Sequence, residues 1–389
     1  MRFPEDVPVL TDGEDLRLRA HRPDDIDDFL AMCSDPDYQA WTDKRVPYSR
    51  NDAEHFLTEL VPSGWREGRV WGWALEHHGR FAGNIDLGST ADGGGDVGFG
   101  LAPWARGIGL TQRAVKLVLR FAFDQLKWDV VLWRAVAGNW ASRRVAWRTG
   151  FRGFTTVRSA GTLHGQRRDE WVASIKRDEE QQPQSHWWSV PVLEDGKLRL
   201  RPHRASDVQR ILEACRDPRT QHWLPSLPSP YTLDDAEAFI ASKQEGLASG
   251  DRVTWVVADP DTDEMLANVG VVKLTGTFGE IGYWAHPEAR GRGVATTAVG
   301  LVVRHAFTPI EYGGLGRHRL ELTAAQGNKA SQHVALANGF TRSGIRRQAS
   351  LRRDGTREDL LVFDLLESDD DQRLLFPSPS CAPTGSIVG

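Results

Sequence analysis

A chain of 389 residues, 40% hydrophobic and 26% charged, has apolar surface enough for two or three cores at ~100–200 residues per domain, which excludes a disordered class. A formal net charge of −5 with no dense basic cluster argues against a nucleic-acid partner. Three cysteines, Cys33, Cys215 and Cys381, make no Cys-x-x-Cys pair and no disulfide framework, as suits a reducing compartment. No stretch approaches the ~20 apolar residues of a membrane span. The opening MRFPEDVPVLTDGEDL has no apolar run behind its arginine, so it reads as neither a signal peptide nor an anchor. A cytoplasmic location with no membrane partner is expected.

The chain repeats itself. Val-Pro-Val-Leu at 7–10 returns at 190–193, Leu-Arg-Leu-Arg at 16–19 returns at 198–201, and Asp35-Pro36 returns as Asp217-Pro218. Gly-Asn-x-x-Ser at 138–142 returns at 327–331, and Gly150-Phe151 returns as Gly339-Phe340. The offset grows from 182 (16 to 198) to 189 (150 to 339) while order is kept, so a domain has been duplicated rather than a short solenoid unit repeated. The expected division is residues 1–180, residues 187–367, and an acidic, then Pro- and Ser-rich tail from 368 to 389 read as disordered.

Each copy reads in the same order. Leu16–Arg19 and Leu198–Arg201 alternate apolar and basic residues, as half-buried strands do. A helix follows, with Ile26, Phe29, Leu30 and Cys33 on one stripe and Val208, Ile211, Leu212 and Cys215 on its counterpart, Ser206 reading as the N-cap. Both cysteines therefore belong to the core rather than to a reactive site. Next come helices around Asp52–Leu60 and Asp234–Lys243, then strands near 70–76, 80–87, 254–258 and 265–274. A strand at Ile281–Ala285, a glycine loop and an apolar helix follow, then strands at Val130–Val136 and Arg319–Thr323. Helices near 141–148 and 330–337 end at Gly150 and Gly339, and a pair of strands closes each copy.

The most informative stretch is Glu280–Phe307, EIGYWAHPEARGRGVATTAVGLVVRHAF, matched by DVGFGLAPWARGIGLTQRAVKLVLRFAF from Asp96. Glycines at a helix start expose backbone N–H groups where the helix dipole adds positive charge, a seat for phosphate. A Walker loop would need Gly-Lys-Ser/Thr, and a dinucleotide fingerprint a third small residue where Thr296 stands; neither pattern is met. The loop instead has Arg290, Gly293 and Ala295 in an Arg/Gln-x-x-Gly-x-Gly/Ala pattern between a strand and a helix. It resembles the acetyl-coenzyme A pyrophosphate loop of the GNAT superfamily of N-acetyltransferases, and the Gly-Tyr-Trp run at 282–284 is similar to its Rim-type branch.

The resemblance covers both copies and implies an α/β chain of two tandem GNAT folds, each a mixed sheet flanked by helices with splayed central strands. It implies acetyl-CoA as cosubstrate, its pantetheine arm along Tyr283, Trp284 and Ala285, and its pyrophosphate on Arg290, Gly291, Arg292, Gly293, Val294 and Ala295. In the first copy Arg106, Gly107, Ile108, Gly109 and Leu110 match, but Thr111 stands where the second has Ala295, so the first loop is expected to be the weaker seat. Asn328 and Asn139 are expected cofactor contacts or strand-end turn residues.

An alkylammonium acceptor has a pKa of ~10.4 and an N-terminal amine ~7.7–8.0, so a base must take a proton before attack on the thioester. Related enzymes place a Glu on the strand before the loop, which points to Glu280 and, in the first copy, Asp96; the alternative is a solvated strand end. Many relatives protonate the thiolate with a Tyr, but Ala146 and Ala335 stand at that position, leaving Ser142 and Ser331, either of which could cap its helix instead. The loop carrying Trp41, or Trp223, overhangs the amine site in the resembled family; core packing is the other use of these rings. No metal is expected, because no histidine spacing matches a ligand set.

The implied activity is transfer of acetyl to a primary amine, of a small molecule or a peptide N-terminus, by direct attack. One catalytic copy beside a structural or ligand-binding one, and a non-catalytic acyl-CoA scaffold, are the alternatives. A cysteinyl amine as in mycothiol synthase, ribosomal-protein N-termini and aminoglycoside-like amines all remain open as acceptors, as does the oligomeric state.

Overall fold

The computed structural model describes residues 6–90 and 92–370, and the chain divides into two compact units between Gln184 and Ser185. In the first unit, strands β1 (Leu10–Thr11), β2 (Leu16–Arg19), β3 (Val70–His77), β4 (Arg80–Ser89), β5 (Gly95–Leu101), β6 (Val130–Val136), β7 (Arg152–Leu163) and β8 (Gln166–Lys176) form one sheet in the order 1-2-3-4-5-6-8-7. Its helices are α1 (Asp25–Ser34), α2 (Pro36–Gln39), α3 (Arg50–His55), α4 (Val61–Glu67), α5 (Leu110–Asp124) and α6 (Trp140–Arg148). The second unit repeats the plan with β9 (Leu193–Glu194), β10 (Arg199–Arg201), β11 (Val253–Ala258), β12 (Met265–Thr275), β13 (Phe278–Ala285), β14 (Arg319–Ala325), β15 (Thr341–Leu351) and β16 (Arg357–Leu366). Its helices are α7 (Val208–Arg216), α8 (Pro218–Trp223), α9 (Leu233–Ser249), α10 (Val294–Phe307), α11 (Lys329–Ala337) and α12 (Glu367–Asp370).

Each sheet is covered on both faces. One face of the second sheet packs Trp255, Val257, Val269, Val271, Ile281 and Leu322 against Val294, Ala298, Val302 and Phe307 of α10. The other meets α7 and α9 through Ile211, Cys215, Ala236, Val256 and Ala258. The first unit does the same with α5 on one face and α1 and α3 on the other. Strands buried on both faces cannot show strict alternation, which explains why β11 is apolar at every position but Thr254.

The recurring tetrads now have physical causes. Trp73 and Trp255 are fully buried, and each indole N–H finds its acceptor in the repeated leader: Trp73 donates to the Pro8 carbonyl at 3.0 Å and Trp255 to that of Pro191 at 2.8 Å. A buried indole without an acceptor is costly, so Val-Pro-Val-Leu returns where it can supply one. The second arginine of Leu-Arg-Leu-Arg is buried as an ion pair: Arg19 grips Asp25 at 2.7 and 2.8 Å and Glu76 at 2.6 Å, and Arg201 grips Asp207 at 2.8 and 2.9 Å and Asp263 at 2.8 Å.

Three expectations change. Ser206 does not cap α7; it lies in a 3-10 turn, Ala205–Asp207, and the helix begins at Val208. The helix expected over Asp52–Leu60 runs on through a π-turn at Phe56–Leu60 into α4. Residues 368–370, expected to be unstructured, are helical; residues 371–389, including Cys381, lie outside the described residues. Cys33 and Cys215 are buried as expected, and burial pushes their thiols up to about 12 and about 11. Among the described residues no helix is long and apolar enough to cross a membrane.

Because Asp207 and Arg201 are both almost wholly buried, removing one partner strands the other's charge. Asp207→Ala is expected to destabilise the second unit by ~3–5 kcal/mol, read as a fall in the denaturant midpoint at unchanged slope; a loss within ~0.5 kcal/mol would show the pair to be dispensable.

Candidate active site

In each unit two neighbouring strands run parallel and then part. β5 pairs with β6 only from Gly95–Val131 to Val97–Trp133, and β13 with β14 only from Phe278–Arg319 to Ile281–Leu322. Beyond those registers Gly98–Leu101 and Gly282–Ala285 have a strand partner on one side only, so each strand presents a free backbone edge to a gap. Unpaired N–H and C=O groups of this kind are built to receive an extended, amide-bearing chain.

The glycine loop stands just past that gap. Gly291 and Gly293 adopt φ of +73° and +76°, and Gly107 and Gly109 φ of +81° and +84°, the left-handed region that glycine enters without strain. A Cβ at any of the four would meet nothing within 4 Å: the loops need glycine for backbone geometry, and their outer face is bare. Among the described residues, the N–H groups of Gly291 to Thr296, and of Gly107 to Gln112, have no hydrogen-bond acceptor. They open α10 and α5, where the dipole adds to their charge. Thr111 is buried and leaves this row of donors intact.

Arg290 and Arg106 do other work. The N–H of Arg290 donates to the Pro287 carbonyl, and its guanidinium is held by Asp217 at 2.5 Å and Thr220 at 2.7 Å. Arg106 is held likewise by Asp35 at 2.5 Å. Asp217 and Asp35 cap α8 and α2, so each arginine ties the loop to the helical corner across the gap. Arg292 is exposed in the second loop; Ile108 takes its place in the first.

The helix beyond the gap is capped by asparagine, not serine. Asn328 Oδ1 accepts the Ser331 N–H at 3.2 Å and Asn139 Oδ1 that of Ser142 at 3.1 Å. That frees both hydroxyls for other partners, and the copies differ in which. Ser331 Oγ lies 2.9 Å from the hydroxyl of Tyr283 on the parted strand, and burial pushes that phenol up to about 12. In the first unit Phe99 replaces Tyr283, and Ser142 Oγ accepts from Trp133 Nε1 at 3.0 Å. Leu322, which matches Trp133, has no side-chain N–H to offer.

Glu280 lies on the paired part of β13, two residues before the strands part, on the face that Trp284 shares with α7 and α9. Tyr283 and Ala285 face α10 instead. A carboxylate and a phenol thus approach the gap from opposite faces of the sheet. Asp96 takes the place of Glu280 in the first unit, and burial holds its carboxyl above the ordinary range.

Trp41 and Trp223 both lie over the glycine of Gly-Asn: a Cβ on Gly138 or Gly327 would stand 3.4 Å from either ring. Trp41 is 40% exposed and Trp223 half-buried, so neither ring fills a core. The tip of the closing hairpin completes the rim. His164 donates its N–H to Asp43 at 2.7 Å, and Arg352 stacks on Trp223 at 4.3 Å while holding the His222 carbonyl at 3.2 Å. Away from the gaps, one group of His and Asp could hold a cation, Asp15, His77 and His78, a convergence that sequence spacing did not show. Asp15 already accepts from Arg113 at 2.6 Å and contacts His77 at 2.9 Å, so the group is an ion-pair cluster complete in itself.

The family model described as "Acetyltransferase (GNAT) domain" matches this chain twice, over residues 15–152 and 197–341. The chain belongs to the GNAT acetyltransferase family. Each match holds one parted strand pair and one glycine loop. The chain is similar to YoaA of Bacillus subtilis (strain 168), an uncharacterized N-acetyltransferase, at 26% identity over 46% of this chain and 97% of YoaA. It is similar to another protein of that organism, named "Probable N-acetyltransferase YjcK", at 26% identity over 46% of this chain and all of YjcK. A solved ribosomal-protein-S5-alanine acetyltransferase from Vibrio fischeri aligns over 46% of this chain and 98% of its own length, with 19% identity and a TM-score of 0.41.

Sequence reasoning missed three features near the gaps. Tyr283 entered only as backbone, because a tyrosine donor was sought on the helix. Asp86, largely buried on β4, carries no motif. Lys44 and Lys243 sit over the matching rings Phe56 and Phe239, at 4.7 and 3.4 Å from the centroids, yet come from unmatched positions in the two copies.

If asparagine is the cap, Asn328→Ala is expected to cost ~1 kcal/mol, as N-cap losses do, and Ser331→Ala clearly less. The urea midpoints of the two variants decide; the reverse order would return the cap to serine.

Proposed function

We propose that this chain is an acetyl-CoA-dependent N-acetyltransferase that moves acetyl to a primary amine by direct attack, with both substrates bound together. The observation that carries the reading is the coincidence, in each unit, of six acceptor-free N–H groups at a helix mouth with a strand edge left open by early parting of a parallel pair. The helix mouth suits a diphosphate; the open edge of Gly282–Ala285 or Gly98–Leu101 suits the amides of a pantetheine arm. The bare face at Gly291 and Gly293, which any Cβ would encumber, is the fit expected of a group held by main chain.

In the second unit Glu280 takes a proton from the acceptor, directly or through water, on the face lined by Trp284. The amine nitrogen then bonds to the thioester carbon, and the carbon–sulfur bond breaks. Tyr283, held by Ser331, stays protonated throughout the neutral range and stands on the opposite face, where it can give the departing sulfur a proton and regain one, through water, from the newly acylated nitrogen, while Glu280 returns its proton to water. Trp223 and Trp41 close the acceptor side and favour an amine carried on an apolar or peptide-like body. YoaA and YjcK are named N-acetyltransferases and match one unit each in length, which agrees with two sites in one chain.

Calorimetry with acetyl-CoA is expected to give two sites per chain, and Gly293→Val one, because valine strains a φ of +76° and covers the donors. Retention of two sites by that variant would sink the loop assignment. Glu280→Gln is expected to keep both binding events and slow second-unit turnover by ~10²-fold or more, and Tyr283→Phe to slow it with binding unchanged. A full rate for Glu280→Gln across pH would remove Glu280 from the mechanism.

A further inference from the structure

We propose that the first unit is a catalytic centre in its own right, in which Asp86, rather than Asp96, takes the proton from the acceptor amine. The inference rests on the acetyl-transfer reading above and assigns that activity's base in the first unit. Asp86 is in register with Gly98, the first residue of β5 beyond the last paired register with β6, so its carboxylate stands at the point where the strands part. Its closeness to that point is measurable: a Cβ on Gly98 would lie 2.8 Å from Asp86 Oδ1. Asp96 is two residues back on the paired segment, its own carboxylate lying over Gly88.

The placement has no structural purpose that the fold requires. Asn84 Nδ2 reaches Asp86 Oδ2 at 3.2 Å, and Asn84 Oδ1 lies 2.9 Å from His21 Nε2. The second unit keeps this support, with Asn268 Oδ1 2.8 Å from His203 Nε2, yet carries Gly270 where Asp86 would stand. The Asn–His pair therefore holds its part of the fold without a carboxylate. Among the described residues, no cation lies within 4.0 Å of the Asp86 carboxylate. A desolvated carboxylate without an ion pair costs stability, a cost more readily understood if the group acts on a ligand.

The charged and titratable groups facing Asp86 are few. Lys44 draws it toward ionisation, Asp96 opposes that, and Tyr38, whose ring packs against Gly100, faces it from α2. Burial dominates and pushes the carboxyl up to about 6, while burial pushes His21 down to about 4, so that His21 is neutral beside Asn84. Above about pH 6 the carboxylate is ionised and can accept a proton; below it the site is blocked. An ammonium acceptor delivers one proton to Asp86 and its nitrogen bonds to the acetyl carbon. The carbon–sulfur bond breaks, the sulfur leaves as thiol with the second nitrogen-bound proton, and Asp86 returns its proton to water.

The test uses full-length chain with the second loop disabled by Gly293→Val, and reads thiol release from acetyl-CoA with trialanine and with n-butylamine. Release that rises with pH through about 6, and falls ~10²-fold or more with a flattened profile in Asp86→Asn, is the expected result, with Asp86→Glu restoring part of the rate and the inflection. Calorimetry should show the remaining acetyl-CoA site unchanged by Asp86→Asn. Melting at pH 8 guards against misfolding: the raised carboxyl makes ionisation in the folded state unfavourable as pH climbs through about 6, so Asp86→Asn should melt no lower than the parent there. Unchanged release in Asp86→Asn overturns the assignment. No release by the Gly293→Val chain, where the unmodified chain releases thiol, overturns catalysis by the first unit and leaves the acetyl-transfer reading standing. No release by the unmodified chain overturns that reading itself.

Discussion

Everything in these sites depends on a pair of parallel strands that stop bonding too soon. Three registers join β5 to β6 and four join β13 to β14, after which the backbone of β5 or β13 has nothing on one side. Leaving main-chain donors and acceptors unmatched is expensive in a core, so the fold places this opening at the rim, where solvent or a bound chain can satisfy it. The bare helix mouth beyond the gap follows the same logic, since its N–H groups are the ones a helix can never satisfy from within.

The architecture was legible because it is written twice. Elements such as Val130–Val136 and Ala141–Arg148 emerged within a residue of their observed ends, since each was read against a partner segment with independent loop lengths. The glycines of the loop were equally readable, because positive φ leaves almost no other residue to choose. What stayed hidden was pairing across the sheet. Asp86 is an unremarked acid on a strand until the register sets it beside Gly98, and Tyr283 is a strand aromatic until folding brings Ser331 to within 2.9 Å. The capping role went to the wrong neighbour for a related reason: Asn and Ser three positions apart are both good caps, and only geometry shows which one accepts the other's N–H.

The two units solve one problem with different polar hardware. Where the second has Tyr283, Leu322 and a hydroxyl pair, the first has Phe99, Trp133 and an indole bonded to Ser142. Where the first has Tyr38 lying against Gly100, the second has Trp284, with Thr220 in place of Tyr38. The second exchange conserves volume by trading a large ring on one element for a large ring on the other, as close packing demands. The carboxylate and phenol differences have no such steric cause, which is why they bear on chemistry rather than on the fold.

The lysines over Phe56 and Phe239 carry this further. One ammonium arrives from the connection after α2 and the other from the middle of α9, so the same spot is charged by segments that do not correspond. A hybrid that swapped only the helix between units would give one pocket two positive charges and the other none. The duplicates are alike as scaffolds, then, but their binding surfaces cannot be exchanged piece by piece.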